Sequence, residues 1–195
     1  MVDSVDVRVE TFDGSTASLT DGLVELYGAV YTEKPYCDGP SDVAEFVAEW
    51  PELRSRPGFR LAVARATAAG LVGFGLGHRV EPDSAWWPAN RSGAATGSAA
   101  LDVPTEDIGV SFGIAELGVH PTWRQRGVAR LVHEALLTGC TEPQVVLWVR
   151  ADAPAAVAAY HRWGYRLVGA VLDRPPYQVM CRPRPVGAAR PGRLL

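Results

Sequence analysis

The stretch best suited to chemistry is Glu116-Leu-Gly-Val-His-Pro-Thr-Trp-Arg-Gln-Arg-Gly-Val-Ala-Arg130. A strand pattern ends at His120-Pro121, an arginine-rich loop follows, and an apolar-periodic helix opens at Gly127. The first turn of a helix leaves N–H groups unpaired and carries the positive end of the dipole, so this junction suits an anion. Gly127 has no side chain to keep a phosphate off the backbone. Ala129 is small enough for tight packing, and Arg124, Arg126 and Arg130 add cations around the same point. No lysine followed by serine or threonine comes after the glycine, which excludes an NTPase P-loop. The glycines of a dinucleotide fingerprint are also absent. A solvated basic helix start with no ligand is the competing reading.

Arg124-x-x-Gly127-x-Ala129, following the strand Glu116 to Val119 and His120-Pro121, resembles the acyl-CoA loop of the GNAT superfamily of N-acetyltransferases. A second segment fits the same family. Leu147-Trp-Val149 resembles its fifth strand, and Ala156, Tyr160, Gly164 and Tyr165 match its Ala–Tyr–Gly–aromatic spacing. The resemblance is concentrated over residues 112–165. It implies a three-layer α/β/α fold with a mixed, mostly antiparallel sheet of six to seven strands, splayed between the family's fourth and fifth strands. Acetyl-CoA would be the co-substrate, with no metal. Its pantetheine arm would pair with the backbone of Leu117, Gly118 and Val119, and its pyrophosphate would sit on the loop Gln125, Arg126, Gly127, Val128, Ala129 and Arg130. An amine would enter from the other side and attack the thioester directly, and a homodimer is common in the family.

Acetyl transfer to an amine needs a proton acceptor, a polarised carbonyl and a donor for the leaving thiolate. Tyr160 falls at the family's usual general-acid position; the alternative is a packed core tyrosine. Glu116 is the candidate base, directly or through a water, and shares strand parity with Gly118 and His120, opposite Leu117 and Val119. That parity predicts that it lies on the less apolar face. The alternative is a carboxylate paired with an arginine. Many family members carry an acid near the position of Gly113, so Glu106 and Asp107 remain rival bases. The family often has an asparagine where this chain has Ala153, beside Asp152. That departure keeps a non-catalytic acyl-CoA sensor in view. A nucleotide-phosphate-binding protein of another kind is the third reading. His120 is not compelling as a catalyst, and His133, on a helix face with Arg130, is expected to be solvated.

The acceptor side should be the variable part. Trp86-Trp87 stands in a glycine- and proline-rich connection, residues 81–108, where it could lid a cleft and stack on substrate or anchor the loop to the core. Glu81, Asp83, Asp102, Glu106 and Asp107 face only Arg91 in this region, so a cationic amine is the expected acceptor: a small molecule or a peptide N-terminus.

Elements to position these groups can be traced along the whole chain. A half-buried strand spans 5–10, and a helix runs Leu23 to Tyr31 after Asp21. Asp42 and Glu45 resemble a capping box for a helix from Val43 to about Trp50, stopped near Pro51. Arg60 to Ala66 and Leu71 to His78 form a hairpin through Gly70. After the connection come a strand from Phe112 to Val119 and a helix from Gly127 to Thr138, ended at Gly139, burying Val128, Leu131, Val132, Ala135 and Leu136. Val145 to Val149 reads as a strand buried on both faces. A helix from Pro154 to Trp163 follows, capped by Gly164, and then strands 165–172 and 177–182.

The chain has 195 residues, 47% of them hydrophobic and 21% charged, with a net charge of −3. This composition is that of a globular protein in one domain, residues 1–182, with a disordered Arg/Pro-rich tail, 183–195. It gives no reason to expect nucleic acid as a partner. No apolar run reaches membrane-spanning length and no signal-peptide pattern opens the chain, so a cytoplasmic location is expected. Cys37, Cys140 and Cys181 are scattered and odd in number, which argues against a disulfide framework or a zinc site.

Overall fold

A computed structural model describes residues 6–87, 99–101, 109–171 and 175–184. The expected tail, apart from its first two residues, lies outside these, as do Arg91, Asp102, Glu106 and Asp107. The elements are β1 (Val7–Asp13), α1 (Asp21–Tyr31), α2 (Pro40–Ser55), β2 (Arg60–Ala66), β3 (Gly70–Val80), β4 (Ala99–Leu101), β5 (Ser111–Val119), α3 (Val128–Leu137), β6 (Gln144–Arg150), α4 (Pro154–Arg162), β7 (Arg166–Val171) and β8 (Tyr177–Pro183). Only the three-residue β4, inside the 81–108 connection, has no counterpart in the strands read from the sequence. The chain divides into two compact units. One runs to Arg79 and takes in Gly113–Gly139; the other takes in Val80–Phe112 and the chain from Cys140 onward.

In the first unit the strand order is β1-β2-β3-β5, and the expected hairpin is present as antiparallel pairing of β2 with β3. Strand alternation splits the side chains of β2 and β3 between two faces. Leu61, Val63, Phe74 and Leu76 pack with Leu23, Leu26, Tyr27, Val30, Tyr31, Phe46 and Trp50 of α1 and α2. On the other face, Gly73 and Gly75 leave space that α3 fills. A Cβ on Gly73 would lie 2.9 Å from Val128 Cγ1, and one on Gly75 would lie 3.1 Å from Val132 Cγ1. Helix, sheet and helix thus form three layers within this unit.

That close seat sets the rotation of α3, and it differs from the sequence expectation. The buried residues are Val128, Val132, His133, Leu136 and Leu137. Leu131 is 45% exposed, whereas His133, expected to be solvated, is 1% exposed. A helix of ten residues can be amphipathic in two adjacent frames, and the glycine face of β3 selects the frame that starts at Val128. Arg60 then caps the helix end, donating to the carbonyls of Leu136 (2.9 Å) and Thr138.

Two helix boundaries also differ. α1 starts at Asp21, ahead of the expected Leu23, and Thr20 caps it, its hydroxyl accepting from the Leu23 N–H at 3.3 Å. α2 starts at Pro40, where Asp42 accepts from the Gly39 N–H at 2.7 Å, and it runs through Pro51 to Ser55. Pro51 deprives the Val47 carbonyl of its helical donor, and Val47 is 39% exposed, so water can serve it.

In the second unit the order is β6-β8-β7-β4, with antiparallel pairing throughout. β6 is buried at Val145, Val146, Leu147 and Val149, as its apolar run predicts. Val146, Val168, Val171, Val179 and Cys181 form a core with Val80 and Trp87.

Candidate active site

The turn between β5 and α3 is built by local forces. Nδ1 of His120 accepts from the Thr122 N–H (3.4 Å), opening a 3-10 turn over Pro121–Trp123. The chain then passes through two left-handed residues, Gln125 (φ 61°) and Gly127 (φ 82°). At Gly127 only glycine adopts this geometry without strain. The Gly127 carbonyl accepts from Arg130 and Leu131 (3.1 Å each), which starts α3. The N–H groups of Gln125, Arg126, Gly127, Val128 and Ala129 have no hydrogen-bond partner among the described residues. This run of bare donors ends in a helix start, the arrangement that takes a phosphate. A diphosphate therefore fits the residues present.

The three arginines differ in role. Arg124, expected as a cation around the anion, has its guanidinium committed elsewhere: to Glu33 Oε2 (2.8 Å) and to the carbonyls of Val119 (3.2 Å) and Val30 (3.4 Å). It pins the loop to the end of α1. Arg126 lies over the Trp123 ring, 5.1 Å from its centroid. Arg130 pairs with Glu134 at 2.7 Å, one turn on, in an exposed contact of small energetic weight.

Upstream on β5, Leu117 faces Gly75 and α3. Gly118 points the other way, and a Cβ there would meet Phe74 and Val30 at 2.8 Å. Glu116 shares that second face, but it is not the less apolar one. It holds Tyr27, Tyr31, Phe46 and Phe74. No arginine pairs with Glu116 among the described residues. Instead, Tyr31 donates its hydroxyl to Glu116 Oε2 at 2.5 Å. Glu116 keeps some accessible surface, yet its carboxyl is crowded by protein. Burial pushes its pKa from 4.5 up to about 7, against the opposing effect of the Tyr31 hydrogen bond; Asp38 and Glu49 add to the rise. A carboxyl poised near neutrality in a buried site has the properties of a general base.

Tyr160 belongs to the second unit. It is 8% exposed on α4, edge-on to Trp163 and Tyr165 at 5.5 Å each. Ala153 caps the start of α4, its carbonyl accepting from Ala156 and Val157, and Arg150 grips Asp152 through two hydrogen bonds (2.9 and 2.8 Å). Trp86 and Trp87, candidate substrate residues, differ in burial. Trp87 is 2% exposed in the core of the second unit, and Trp86 meets Trp148 edge-on at 5.7 Å. The burial of the Trp87 ring favours the anchoring reading for that residue, whereas Trp86 is only half-buried. Glu106 and Asp107 lie outside the described residues.

The structure therefore brings Glu116, Leu117, Gly118, Val119 and the loop Arg124–Arg130 together in one unit, and adds Tyr31 and Glu33, which sequence reasoning missed. Among the described residues no group of three or more His, Cys, Asp or Glu could hold a metal ion. No helix there is long and apolar enough to cross a membrane.

Residues 23–165 match the model of the acetyltransferase (GNAT) family. The mycothiol acetyltransferase of Parafrankia sp. (strain EAN1pec) is 32% identical over 123 residues, 63% of this chain and 32% of that protein, so the match spans about a third of that relative's length. Among solved structures, PH1933 from Pyrococcus horikoshii OT3 superposes with a TM-score of 0.60 at 16% identity, covering 92% of this chain and 99% of that one. The PaiA N-acetyltransferase of Thermoplasma acidophilum, solved in complex with coenzyme A, gives 0.59 at 10% identity, covering 91% and 99%. These structural likenesses show the fold, which is the α/β fold the motifs imply. With most of its length matched by the family model and the bare amides standing where the motif places them, the chain belongs to the acetyltransferase (GNAT) family, whose members take their acyl group from acetyl-CoA.

Proposed function

We propose that this protein is a cytoplasmic enzyme that moves an acetyl group from acetyl-CoA to a primary amine by direct transfer. The observation that carries the reading is the run of unpartnered N–H groups from Gln125 to Ala129 at the start of α3. They would hold the pyrophosphate, and the backbone of Leu117, Gly118 and Val119 would hold the pantetheine arm. Bound acetyl-CoA supplies an activated carbonyl and a thiol leaving group.

Glu116 accepts the proton of the attacking amine. Its pKa near 7 supports this, because a base of that strength is ionised at working pH and still takes a proton. As the new C–N bond forms and the C–S bond breaks, Tyr160 gives a proton to the departing sulfur. The aromatic side chains on the Glu116 face of the sheet, Tyr27, Tyr31, Phe46 and Phe74, supply the apolar surroundings that keep this carboxylate a stronger base than a solvated one. Asp38 and Glu49 near Glu116 support a cationic acceptor, whether a small polyamine-like molecule or a peptide N-terminus.

The test is incubation with acetyl-CoA and a panel of amines, with free thiol followed over time and thermal unfolding measured in parallel. The expected result is CoA-specific stabilisation together with amine-dependent thiol release, greatest for cationic amines. Stabilisation without release across the panel would overturn catalysis in favour of a sensor. Greater stabilisation by ATP or NAD than by CoA would overturn the cofactor.

A further inference from the structure

We propose that Tyr31 is a positioning residue for Glu116: its hydroxyl holds one carboxyl oxygen and leaves the other aimed at the amine, and so sets the pH at which the enzyme works. The inference rests on Glu116 being the base.

The contact joins two residues far apart in sequence, at 2.5 Å from Tyr31 Oη to Glu116 Oε2. The tyrosine has little freedom. It is the last residue of α1 and 7% exposed, and its ring is tilted against Tyr27 (4.7 Å) and edge-on to Tyr36 (5.0 Å) and Phe74 (6.5 Å). Its own carbonyl accepts from the Asp38 N–H at 2.9 Å, which fixes the backbone as well. The hydroxyl therefore reaches Glu116 from a set direction. Oε1 makes no hydrogen bond among the described residues, so that oxygen is the one open to a proton.

The phenol is also the right kind of partner. Burial and the neighbouring carboxylate push its pKa well above its usual value, so it stays a donor wherever Glu116 titrates. Donation favours the ionised carboxyl and opposes the effect of burial. The other ionisable groups around Glu116 act in the opposite direction. Asp38, in the loop after α1, and Glu49, on α2, both disfavour its charge; Asp42 on α2 acts on Tyr27, and Tyr36 and Tyr27 act on Tyr31. Among these groups only Tyr31 gives Glu116 a hydrogen bond.

The test is Tyr31→Phe, which removes one oxygen and keeps the ring. Two quantities are followed in the full chain: the titration of the Glu116 carboxyl by 13C NMR, assigned with Glu116→Gln, and the pH profile of kcat/KM with one fixed amine. The fixed amine makes its own ionisation common to every variant. The expected result is an upward move of about one pH unit in both the titration and the ascending limb, so that the rate falls about tenfold below the limb, with a smaller deficit above it where only the orientation is lost. Tyr31→3-fluorotyrosine, a stronger donor of the same shape, moves both downward. Tyr27→Phe, which alters a neighbour not bonded to Glu116, moves neither. A titration that stays put in a folded Tyr31→Phe protein overturns the proposal alone. A titration that moves while the rate profile stays overturns Glu116 as the base, and the proposal with it.

Discussion

Glu116→Gln should separate stability from catalysis, because the group that serves as base is also costly to bury. Below about pH 4 the carboxyl is protonated in both the folded and the unfolded chain, and the substitution changes little. Between 4.5 and about 7 the folded protein keeps a proton that the unfolded chain has released, so stability falls as pH rises. Above 7 the folded state carries the whole cost of a buried carboxylate. The difference between 4.5 and about 7, at 1.36 kcal/mol per unit, is about 3 kcal/mol as an upper bound. Glutamine carries no such charge, and its amide oxygen can still accept from Tyr31. Relative to wild type, the variant should gain nothing at pH 4 and up to about 3 kcal/mol at pH 8.5, at most roughly 6–12 °C in Tm for a chain of this size. Urea unfolding at the two pH values measures it, provided the m-value is unchanged. The same variant should lose acetyl transfer by about 10²–10⁴-fold at pH 8 while its stabilisation by CoA persists. An identical offset at both pH values, or a loss of stability at pH 8.5, would refute the account of a carboxyl strained by burial.

Other expectations follow from the same geometry. Gly127→Val forces a β-branched residue into φ 82°, at a cost of about 1–3 kcal/mol, and turns the bare amides away from their ligand; calorimetry should find CoA binding lost while the unliganded chain still unfolds cooperatively. Gly73→Ala puts a methyl 2.9 Å from Val128 Cγ1, so chemical denaturation should show a loss of about 1–3 kcal/mol, and CoA affinity should fall because Val128 opens α3. Tyr160→Phe should lower kcat about 10²-fold with the thermal shift by CoA unchanged; an unaltered kcat would remove it from the mechanism.

The chemistry that lies within a few residues was legible in the sequence. The junction from Glu116 to Arg130, with its bare helix start, follows from adjacent residues and their spacing, and so do the β2–β3 hairpin and the buried strand β6. What depends on distant segments was not. The face of α3 is chosen by glycines on β3, so Leu131 and His133 exchange their expected environments. Arg124 reads as a free cation until Glu33 is placed beside it. Pro51 reads as a helix stop, because the sequence does not tell that Val47 faces solvent. The tryptophan pair had two equal readings, and the apolar surroundings of Trp87, invisible in the sequence, favour anchoring for that residue. The partner of Glu116 comes from a helix far upstream, with no periodicity to announce it.

The grip of Arg124 on α1 has a consequence for how damage spreads. The carbonyl of Val30 and the carboxylate of Glu33 flank Tyr31, so one guanidinium tethers the cofactor loop to the residue that orients the base. Loosening that tether slackens both ends. A screen of random variants will therefore find lesions near residue 124 that weaken cofactor retention and displace the acid–base optimum in the same protein, whereas lesions at Gly127 disturb the first alone.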